Sequence, residues 1–275
     1  MPLPPGLALS RQRFDSALVA EAIQAGSHFL PGVAGHRTSQ GLFLSGLSQT
    51  LHPGLLIAAV GLGGWGVGLK SEVLAGSLIG AGTLVDQAPD FYGPGTIYMS
   101  CGPGGYAGLV RLEDGRLDVA AALAPAFVRQ MNHPGQAVAQ LLQAAGWPVI
   151  GDLQRLPWKG TPALTRRARV VAGRRFFVVG DAAGYVEPFT GEGLAWALAS
   201  AAALAPLALD ALHQGWTPAH GRRWSERRAR LLGQRQRLCR LLTLGLRWPR
   251  LSQTVVSLLR WLPFLARPFV PRSGR

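Results

Sequence analysis

The 275-residue sequence contains little cysteine and few clustered metal ligands. Cys101 and Cys239 provide neither a disulfide framework nor a metal cluster, and the six histidines are scattered without the spacing of ligand pairs. These absences exclude a disulfide-stapled fold and predict a reducing, cytoplasmic setting. The segment MPLPPGLALSRQRFD at the N-terminus has no basic region followed by an apolar one, so we expect no signal peptide.

Acidic residues are also scarce. The chain has 14 Asp and Glu against 28 Lys and Arg, for a net charge of +14 at pH 7, and much of the positive charge lies near the C-terminus. Such an excess predicts acidic partners or surfaces. Hydrophobic residues make up 48% of the chain, and its length suits one large domain or two small ones with a sizeable core.

The most apolar stretch runs from Leu194 to Leu209, where Ser200 is the one polar residue. It is short for a membrane span, rich in alanine and interrupted by Pro206. We therefore predict a helix buried in the core rather than one that crosses a membrane.

A strand, a loop and a helix are predicted in succession after residue 175. The apolar run Phe176 to Val179 predicts a strand buried on both faces, and the long Ala/Leu stretch predicts a helix. The loop between them contains GDAAG (180–184), Pro188 and GEG (191–193). Free backbone N–H groups and the positive end of the helix dipole meet at such a junction, which suits an anion or a polar cofactor.

These three loop elements, at this spacing, resemble the second cofactor motif of FAD-dependent oxidoreductases of the para-hydroxybenzoate hydroxylase and geranylgeranyl reductase type. The resemblance implies that Asp181 binds a ribityl hydroxyl of FAD, and that backbone N–H groups after the proline approach the pyrimidine side of the isoalloxazine. The alternative is a loop that only joins strand to helix, with Asp181 as an N-cap-like residue. The cofactor-binding residues expected from the motif are Gly180, Asp181, Ala182, Pro188, Gly191 and Gly193.

The segment LSRQRFDSALVAEAIQAG (9–26) is similar to a helix of the same family whose arginine lies near the FAD pyrophosphate. Arg11 is therefore a candidate FAD contact, and a solvated charge at a helix start is the alternative. In the family this helix follows a βαβ unit that carries the main Gly-rich fingerprint, and that unit has no counterpart in this sequence. A truncated gene model, a split protein or a natural remnant would each produce such a sequence.

A second glycine-rich stretch follows a predicted strand over residues 55–60. Residues 61–66 (GLGGWG) match G-x-G-x-x-G, and Asp86 lies about twenty residues further on. Glycines at 68, 76, 80 and 82 interrupt any following helix, so dinucleotide binding here is the less favoured interpretation. The family has A-x-D-G at this point, whereas Val60 replaces the Asp. Valine cannot accept a hydrogen bond, which weakens the expectation of a complete flavin site.

The region from 77 to 124 predicts short antiparallel strands separated by Gly/Pro turns, with a hairpin turn at 113–116. It resembles the sheet that covers the substrate side of the flavin in this family. Several side chains could line an apolar substrate pocket, although a core role is favoured: Tyr92, Tyr98, Met99, Cys101 and Tyr106. Helical spacing is predicted from 125 to 146, with a break at His133-Pro134. We expect Trp158 to be structural rather than packed near the flavin ring.

The chain beyond Leu212 predicts a basic helical arm. Residues 222–250 carry ten arginines, and leucines recur at helix-like intervals at 231, 232, 238, 241 and 242. A tail follows in which Trp261, Phe264 and Phe269 lie among arginines. The pattern fits a helix on an anionic membrane surface or, equally, a helical cap with its arginines in water. Nucleic-acid binding is the less favoured interpretation, because the basic residues come with a leucine stripe and no recognised nucleic-acid module.

Together these features predict an α/β fold. We expect a partial, Rossmann-like FAD-binding domain (1–76 and 151–215), an inserted antiparallel β-sheet substrate domain (77–150) and a basic C-terminal helical region (216–275). The favoured hypothesis is an FAD-dependent oxidoreductase, a reductase or monooxygenase, that acts on an apolar lipid-like or polyketide-like substrate. NAD(P)H as electron donor follows only from the resemblance.

Two alternatives stand beside it. One is a non-catalytic or split remnant that cannot hold FAD alone, with a partner polypeptide supplying the missing unit. The weaker one is a cationic protein that binds the inner face of a membrane.

Overall fold

The computed structural model describes residues 9–63, 68–187, 189 and 191–246. Numbered along the chain, the helices and strands are α1 (Arg11–Gln24), β1 (Ala34–Arg37), β2 (Leu42–Ser45), β3 (Gln49–Leu51), β4 (Leu56–Ala58), β5 (Ser71–Val73), β6 (Ile79–Val85), β7 (Ile97–Gly102), β8 (Gly105–Arg111), β9 (Leu117–Leu123), α2 (Pro125–Met131), α3 (Pro134–Ala144), β10 (Lys159–Ala163), β11 (Arg166–Ala168), β12 (Ala172–Gly173), β13 (Phe176–Val178), α4 (Gly193–His213) and α5 (Pro218–Leu246).

The described residues fall into two units, each built from separate parts of the chain. Residues 9–26, 79–160 and 242–246 form one unit, which we call the sheet unit. Residues 27–78 and 161–241 form the other, which we call the motif unit because it contains the GDAAG sequence. Helix α1 thus belongs to the sheet unit rather than to the unit that holds residues 27–78.

The sheet unit is organised around an antiparallel sheet. The strand order is β10-β6-β9-β8-β7. Strands β7, β8 and β9 follow one another as antiparallel hairpins, and β9 then pairs with β6. Alternate residues of these strands face α3 and form a core that includes Leu109, Leu117, Val119 and Leu141. The predicted strands, the hairpin turn at 113–116 and the helix break before Pro134 are confirmed, with Asn132 in a left-handed conformation at the break.

Strand alternation gives the same sheet an outer face, away from α3. Tyr98 and Ser100 point toward the core side, and the Ser100 hydroxyl donates to the Leu141 carbonyl at 2.8 Å. The intervening side chains of β7 therefore lie on the opposite face. That outer face carries mainly small and apolar residues, which lie opposite one another in the cross-strand register. They are Gly80, Gly82 and Leu84 of β6, Asp118, Ala120 and Ala122 of β9, Tyr106, Gly108 and Val110 of β8, and Ile97, Met99 and Cys101 of β7.

Helix α1 is tied to the sheet unit at its first turn. Ser10 is the N-cap, its hydroxyl accepting from the Arg13 N–H and donating to Glu113 Oε1 at 2.8 Å. The Ser10 N–H donates to the other carboxylate oxygen at 2.9 Å. Hydrogen bonds from the Glu113 backbone and from Ser10 lower the pKa of the Glu113 carboxyl. No residue within α1 is buried, so the cap carries the connection.

The motif unit contains a short three-stranded sheet of order β12-β13-β4. Strand β13 runs parallel to β4 and antiparallel to β12, and its three residues are buried, as predicted for the run after residue 175. Phe177 packs with Leu204, Leu207 and Trp224 of the two long helices. The Trp224 indole N–H donates to the Val178 carbonyl at 3.0 Å and so fixes α5 against the strand.

Helix α4 is the one described helix that is long and apolar enough to cross a membrane by length and composition. One face is buried and includes Trp196, Ser200 and Leu204. The helix continues through Pro206, which the sequence analysis treats as an interruption. Proline removes a single N–H donor, and a helix packed along one face retains the rest of its hydrogen bonds.

Helix α5 extends the basic arm to residue 246. Along it Leu232 is buried and Leu241 is 67% exposed, so the predicted leucine stripe does not form one buried face. The tail with Trp261, Phe264 and Phe269 lies outside the described residues.

Candidate functional site

The site forms where the two parallel strands of the motif unit end. Gly61 follows β4, and Gly180 follows β13. The Val179 N–H donates to the Ala58 carbonyl at 3.0 Å, which holds the two strand ends side by side. Ligands of open α/β sheets bind beyond the carboxyl ends of parallel strands, so this edge is where a cofactor is expected.

The GDAAG sequence adopts a tight turn at that edge. Residues Gly180–Ala183 form one turn of 3₁₀ helix, closed by a hydrogen bond from the Gly184 N–H to the Asp181 carbonyl at 3.0 Å. Gly180 has φ of 59° and Gly184 has φ of 117°, both in the region that favours glycine. The two glycines therefore allow the chain to turn sharply on either side of Asp181.

Ser200 of α4 fixes the start of this turn. Its hydroxyl accepts from the Gly180 N–H at 3.0 Å and donates to the Ala197 carbonyl at 2.8 Å, and the residue is fully buried. The sequence analysis noted Ser200 only as the polar exception in an apolar helix. That exception was the available signal, because a hydroxyl at an otherwise apolar core position requires a buried partner.

A small cavity of about 60 Å³ opens beside the turn. It borders the carboxyl ends of both strands, since Gly61, which follows β4, and Asp181, which follows β13, both line it. A Cβ built on Gly61 would meet no atom of the described residues within 4 Å, so this wall is open. The residues that line the cavity are Gly61, Leu62, Gly63, Leu69, Ser71, Arg166, Asp181, Ala182 and Gly184.

Two arginines bring positive charge to this cavity. Arg166 lines it, with Nε donating to the Ala163 carbonyl at 2.7 Å and Nη1 to the Ser71 hydroxyl at 3.3 Å. Arg228 of α5 approaches from the other side of the turn, with Nη2 3.3 Å from the position that a Cβ on Gly184 would occupy. The sequence analysis did not single out either residue.

The Arg228 guanidinium is partly buried without a matching acceptor. Its Nε is buried and has no hydrogen-bond partner among the described atoms. Burial lowers the pKa of this side chain from its usual value. A cation in this state raises the electrostatic potential around Gly184 and favours an anion there.

The structure brings only part of the expected set together. Asp181 and Ala182 line the cavity, and Gly180 begins the turn behind them. Gly191, with φ of 72°, lies two residues before the start of α4 at Gly193, with Glu192 as the N-cap between them. Pro188 lies outside the described residues.

Arg11 is the remaining residue of the expected set. It belongs to the sheet unit, and its guanidinium pairs with the Asp15 carboxylate at 3.0 Å on an exposed helix surface. Its contact with FAD stays a prediction.

The second glycine-rich stretch, residues 61–66, is described only in its first half. Gly61–Gly63 form a turn that contributes to the cavity, while residues 64–67 lie outside the described part. The described chain resumes at Gly68 and enters β5 at Ser71, so no helix is seen there after the loop. The described residues thus show the turn of a dinucleotide fingerprint without the helix N-terminus that would bind a pyrophosphate.

The aromatic candidates are divided between two faces of the sheet unit. Tyr92 is fully buried and its hydroxyl donates to the Pro148 carbonyl at 3.0 Å, and Tyr98 stacks edge-on against it. These two tyrosines are core residues. Met99, Cys101 and Tyr106 instead lie on the outer face. Trp158 is structural, since its indole N–H donates to the Leu153 carbonyl at 2.7 Å.

The cavity fits part of an FAD molecule. Asp181 provides acceptors for a hydroxyl-bearing chain, and the positive charge of Arg166 and Arg228 suits a group that becomes anionic. Its 60 Å³ is far below the roughly 300 Å³ at which small-molecule sites begin. The described residues therefore suit the ribityl portion and one edge of a flavin rather than the whole dinucleotide.

Structural comparison shows a shared fold: the chain superposes on a reductase-like protein and on flavin-dependent halogenases, which confirms the predicted α/β fold. A geranylgeranyl bacteriochlorophyll reductase-like protein from Thermoplasma acidophilum superposes with a TM-score of 0.68 at 19% identity, over 88% of this chain and 66% of that protein. BrvH, a flavin-dependent halogenase from Brevundimonas sp. BAL3, superposes with a TM-score of 0.63 at 16% identity. The flavin-dependent brominase Bmp2 gives 0.66 at 14% identity.

The coverage of these structures is uneven. The match takes in 81% of this chain but 45% of BrvH, and 91% of this chain with 70% of Bmp2. The chain therefore spans less than two thirds of the reductase-like protein and of BrvH. No protein-family model and no curated protein matches the sequence.

Proposed function

We propose that the chain is the flavin-contacting part of an FAD-dependent oxidoreductase whose substrate is apolar. The observation that carries the proposal is the cavity at the carboxyl ends of β4 and β13, which is lined by Gly61, Asp181 and Arg166. Arg228 lies close to Gly184, which lines the same cavity. The fold it shares with flavin-dependent halogenases and a reductase-like protein supports the same class. The halogenases are flavin-dependent and the other neighbour is reductase-like, so the proposal is made for the class and not for one reaction.

The chain's own residues have distinct roles in this proposal. Asp181 accepts a hydrogen bond from a ribityl hydroxyl, and the glycines at 180 and 184 let the backbone approach the ring closely. Arg228 and Arg166 stabilise negative charge at the same edge. A bound flavin would supply the redox chemistry, and NAD(P)H is the proposed electron donor.

The outer face of the sheet unit is the proposed contact surface for the substrate. Small residues such as Gly82, Gly108 and Ala120 leave it without protruding side chains, while Met99 and Tyr106 add apolar area. A flat apolar face of this kind suits a lipid-like or polyketide-like molecule.

The open edge of β4 favours a second candidate, in which the chain is one part of a split flavoprotein. Among the described strands β4 pairs only with β13, and Ile57 is 46% exposed on it. Parallel strands are normally buried on both faces and both edges. A further strand, from a partner polypeptide that also carries a phosphate-binding loop, would complete this sheet.

One experiment distinguishes these candidates. Riboflavin and FAD are titrated against the full chain by flavin fluorescence, with Asp181→Ala as the test variant and Asp152→Ala as the control. Asp152 is a surface carboxylate that pairs with Arg155. We expect the two flavins to bind with similar affinity, because the adenosine half finds no loop and helix N-terminus, and we expect Asp181→Ala to weaken both.

The outcomes separate clearly. FAD binding much tighter than riboflavin would mean that the chain holds the whole dinucleotide, and would exclude the split candidate. Loss of flavin on desalting, with affinity still dependent on Asp181, would favour the split protein. Equal titrations for the Asp181 variant and its control would refute the flavin site.

The exposed leucines of α5 support a third, peripheral role at a cytoplasmic membrane surface. Leu238 and Leu241 are exposed beside Arg235 and Arg237. Such a face can adsorb to anionic lipid through both apolar burial and charge. Sedimentation with phosphatidylglycerol vesicles tests this: binding should fall with added salt and in Leu241→Ser, and salt-independent or absent binding would exclude it.

A further inference from the structure

A second cavity of the motif unit lies at the opposite end of the same two strands. Its volume is about 300 Å³. It is lined by Leu56, the first residue of β4, and by Arg175, which immediately precedes β13. The cavity beside Asp181 is at the carboxyl ends of these strands, so the two cavities are separated by the length of the sheet.

Three arginines converge on this second cavity, which we call the arginine cavity. Arg37 ends β1, and Arg174 and Arg175 form the two-residue loop between β12 and β13. His52, just beyond β3, lines it as well. The four side chains come from three separate stretches of the motif unit.

Arg37 stacks on an aromatic ring. Its guanidinium carbon lies 4.8 Å from the centroid of the Phe176 ring. Phe176 is a buried residue of β13, so the ring is a fixed platform. A cation stacked on an aromatic face keeps its donors free at the edge of the guanidinium plane.

Arg175 occupies a backbone position that does not suit arginine. Its φ is 52°, in the left-handed region. A two-residue hairpin loop favours Gly, Asn or Asp at such a position. Turn chemistry therefore does not account for an arginine here, and strained residues of this kind are concentrated at functional sites.

The positive charge of the arginine cavity is not neutralised within the described protein. None of the described carboxylates forms an ion pair with Arg37, Arg174 or Arg175. Like charges around a concave surface repel one another, and a bound anion removes that repulsion. The guanidinium fork also matches the oxygen geometry of phosphate.

We propose that the arginine cavity binds a phosphate-bearing anion. The ligand contacts Arg37, Arg174 and Arg175, and His52 contributes a further donor. This site is independent of the flavin proposal, because it uses none of the residues around Asp181. The phosphate could be carried by a soluble metabolite or by a lipid headgroup, and the test below distinguishes these two sources.

The first arm uses pyrophosphate and the full chain in isothermal titration calorimetry at low salt. The test variant is Arg37→Gln/Arg175→Asn, in which asparagine suits the left-handed position and so preserves the turn. The control variant is Arg129→Gln/Arg235→Gln, which removes two exposed charges that do not line this cavity. We expect the test variant to bind pyrophosphate on the order of a hundredfold more weakly, about tenfold for each arginine, and the control to bind like the native chain.

The second arm uses phosphatidic acid vesicles, with phosphatidylcholine vesicles for comparison. Pyrophosphate binding that depends on the two arginines supports a soluble ligand. Arginine-dependent binding seen only with phosphatidic acid supports a lipid headgroup. If the test and control variants lose the same affinity in both arms, or if neither probe binds at low salt, the proposal is overturned.

Discussion

Arg228 provides the sharpest prediction about how this site is built. Its Nε is buried without a hydrogen-bond partner among the described residues, and its Nη2 lies close to Gly184 of the GDAAG turn. An unsatisfied buried polar group costs about 1–3 kcal/mol. Methionine keeps an unbranched apolar side chain of similar reach and removes that group. We therefore expect Arg228→Met to raise the free energy of unfolding of the chain without flavin by about 1–3 kcal/mol.

The assay is thermal unfolding of the flavin-free chain, followed by circular dichroism. For chains of this size about 1 kcal/mol corresponds to roughly 2–4 °C in Tm. Arg227→Met is the matched control, because Arg227 is the preceding residue of the same helix and is exposed. We expect the control to change stability by less than about 0.5 kcal/mol.

The same substitution should have the opposite effect on ligand binding. Removing the positive charge beside Gly184 should weaken riboflavin binding, and it should weaken binding of the reduced, anionic flavin more than that of the oxidised form. The reasoning is refuted if Arg228→Met lowers Tm more than Arg227→Met does. It is also refuted if flavin affinity is the same in both variants, since Arg228 would then have no electrostatic effect on the site.

Three further predictions address the turn, the sheet and the arginine cavity. Ser200→Ala leaves the Gly180 N–H without its acceptor, so it should lower the free energy of unfolding in urea by about 1–2 kcal/mol. The control Ser225→Ala, on an exposed part of α5, should leave that free energy nearly unchanged. Burial raises the pKa of the Asp118 carboxyl, so folding favours the neutral form of this side chain. The resulting contribution to folding stability is fully present below the unfolded pKa of about 3.9, and it is lost as pH rises through the higher pKa of the folded chain. Asp118→Asn should therefore match the native Tm near pH 3 and exceed it at pH 7, and a constant difference across this range would contradict the assignment. Arg175→Asn should raise stability by about 0.5–1 kcal/mol in the absence of ligand, because asparagine tolerates a φ of 52° better than arginine does; a lower Tm would show that the side chain makes stabilising contacts instead.

Local patterns in the sequence predicted much of the fold. The strands of the sheet unit are short alternating or apolar runs between glycine and proline, and their pairing follows from tight turns such as the one at Gly115. The break before Pro134 follows equally from local chemistry. The cofactor motif was recognisable because its glycines and carboxylate lie within a single loop.

Other properties depended on residues that are far apart in the chain. Strand alternation put the neighbours Tyr98 and Met99 on opposite faces, but the sequence did not show which of the two faces meets α3, so the core-facing residue could not be identified in advance. Pro206 suggested an interruption, yet packing of one face kept α4 continuous. The unit to which α1 belongs was not visible either, because the Ser10–Glu113 hydrogen bonds join residues about a hundred positions apart, and the contact of Arg11 with FAD stays a prediction.

The sequence by itself determined the strand, the glycine turn and the helix around GDAAG, because all three are encoded by neighbouring residues. Only the tertiary structure decided which side chains serve that turn. Ser200 reaches Gly180 from a helix, Arg228 reaches Gly184 from a later helix, and Gly61 faces Asp181 from a separate strand. Such contacts join distant positions through side-chain packing, and packing has no periodicity that a single sequence displays.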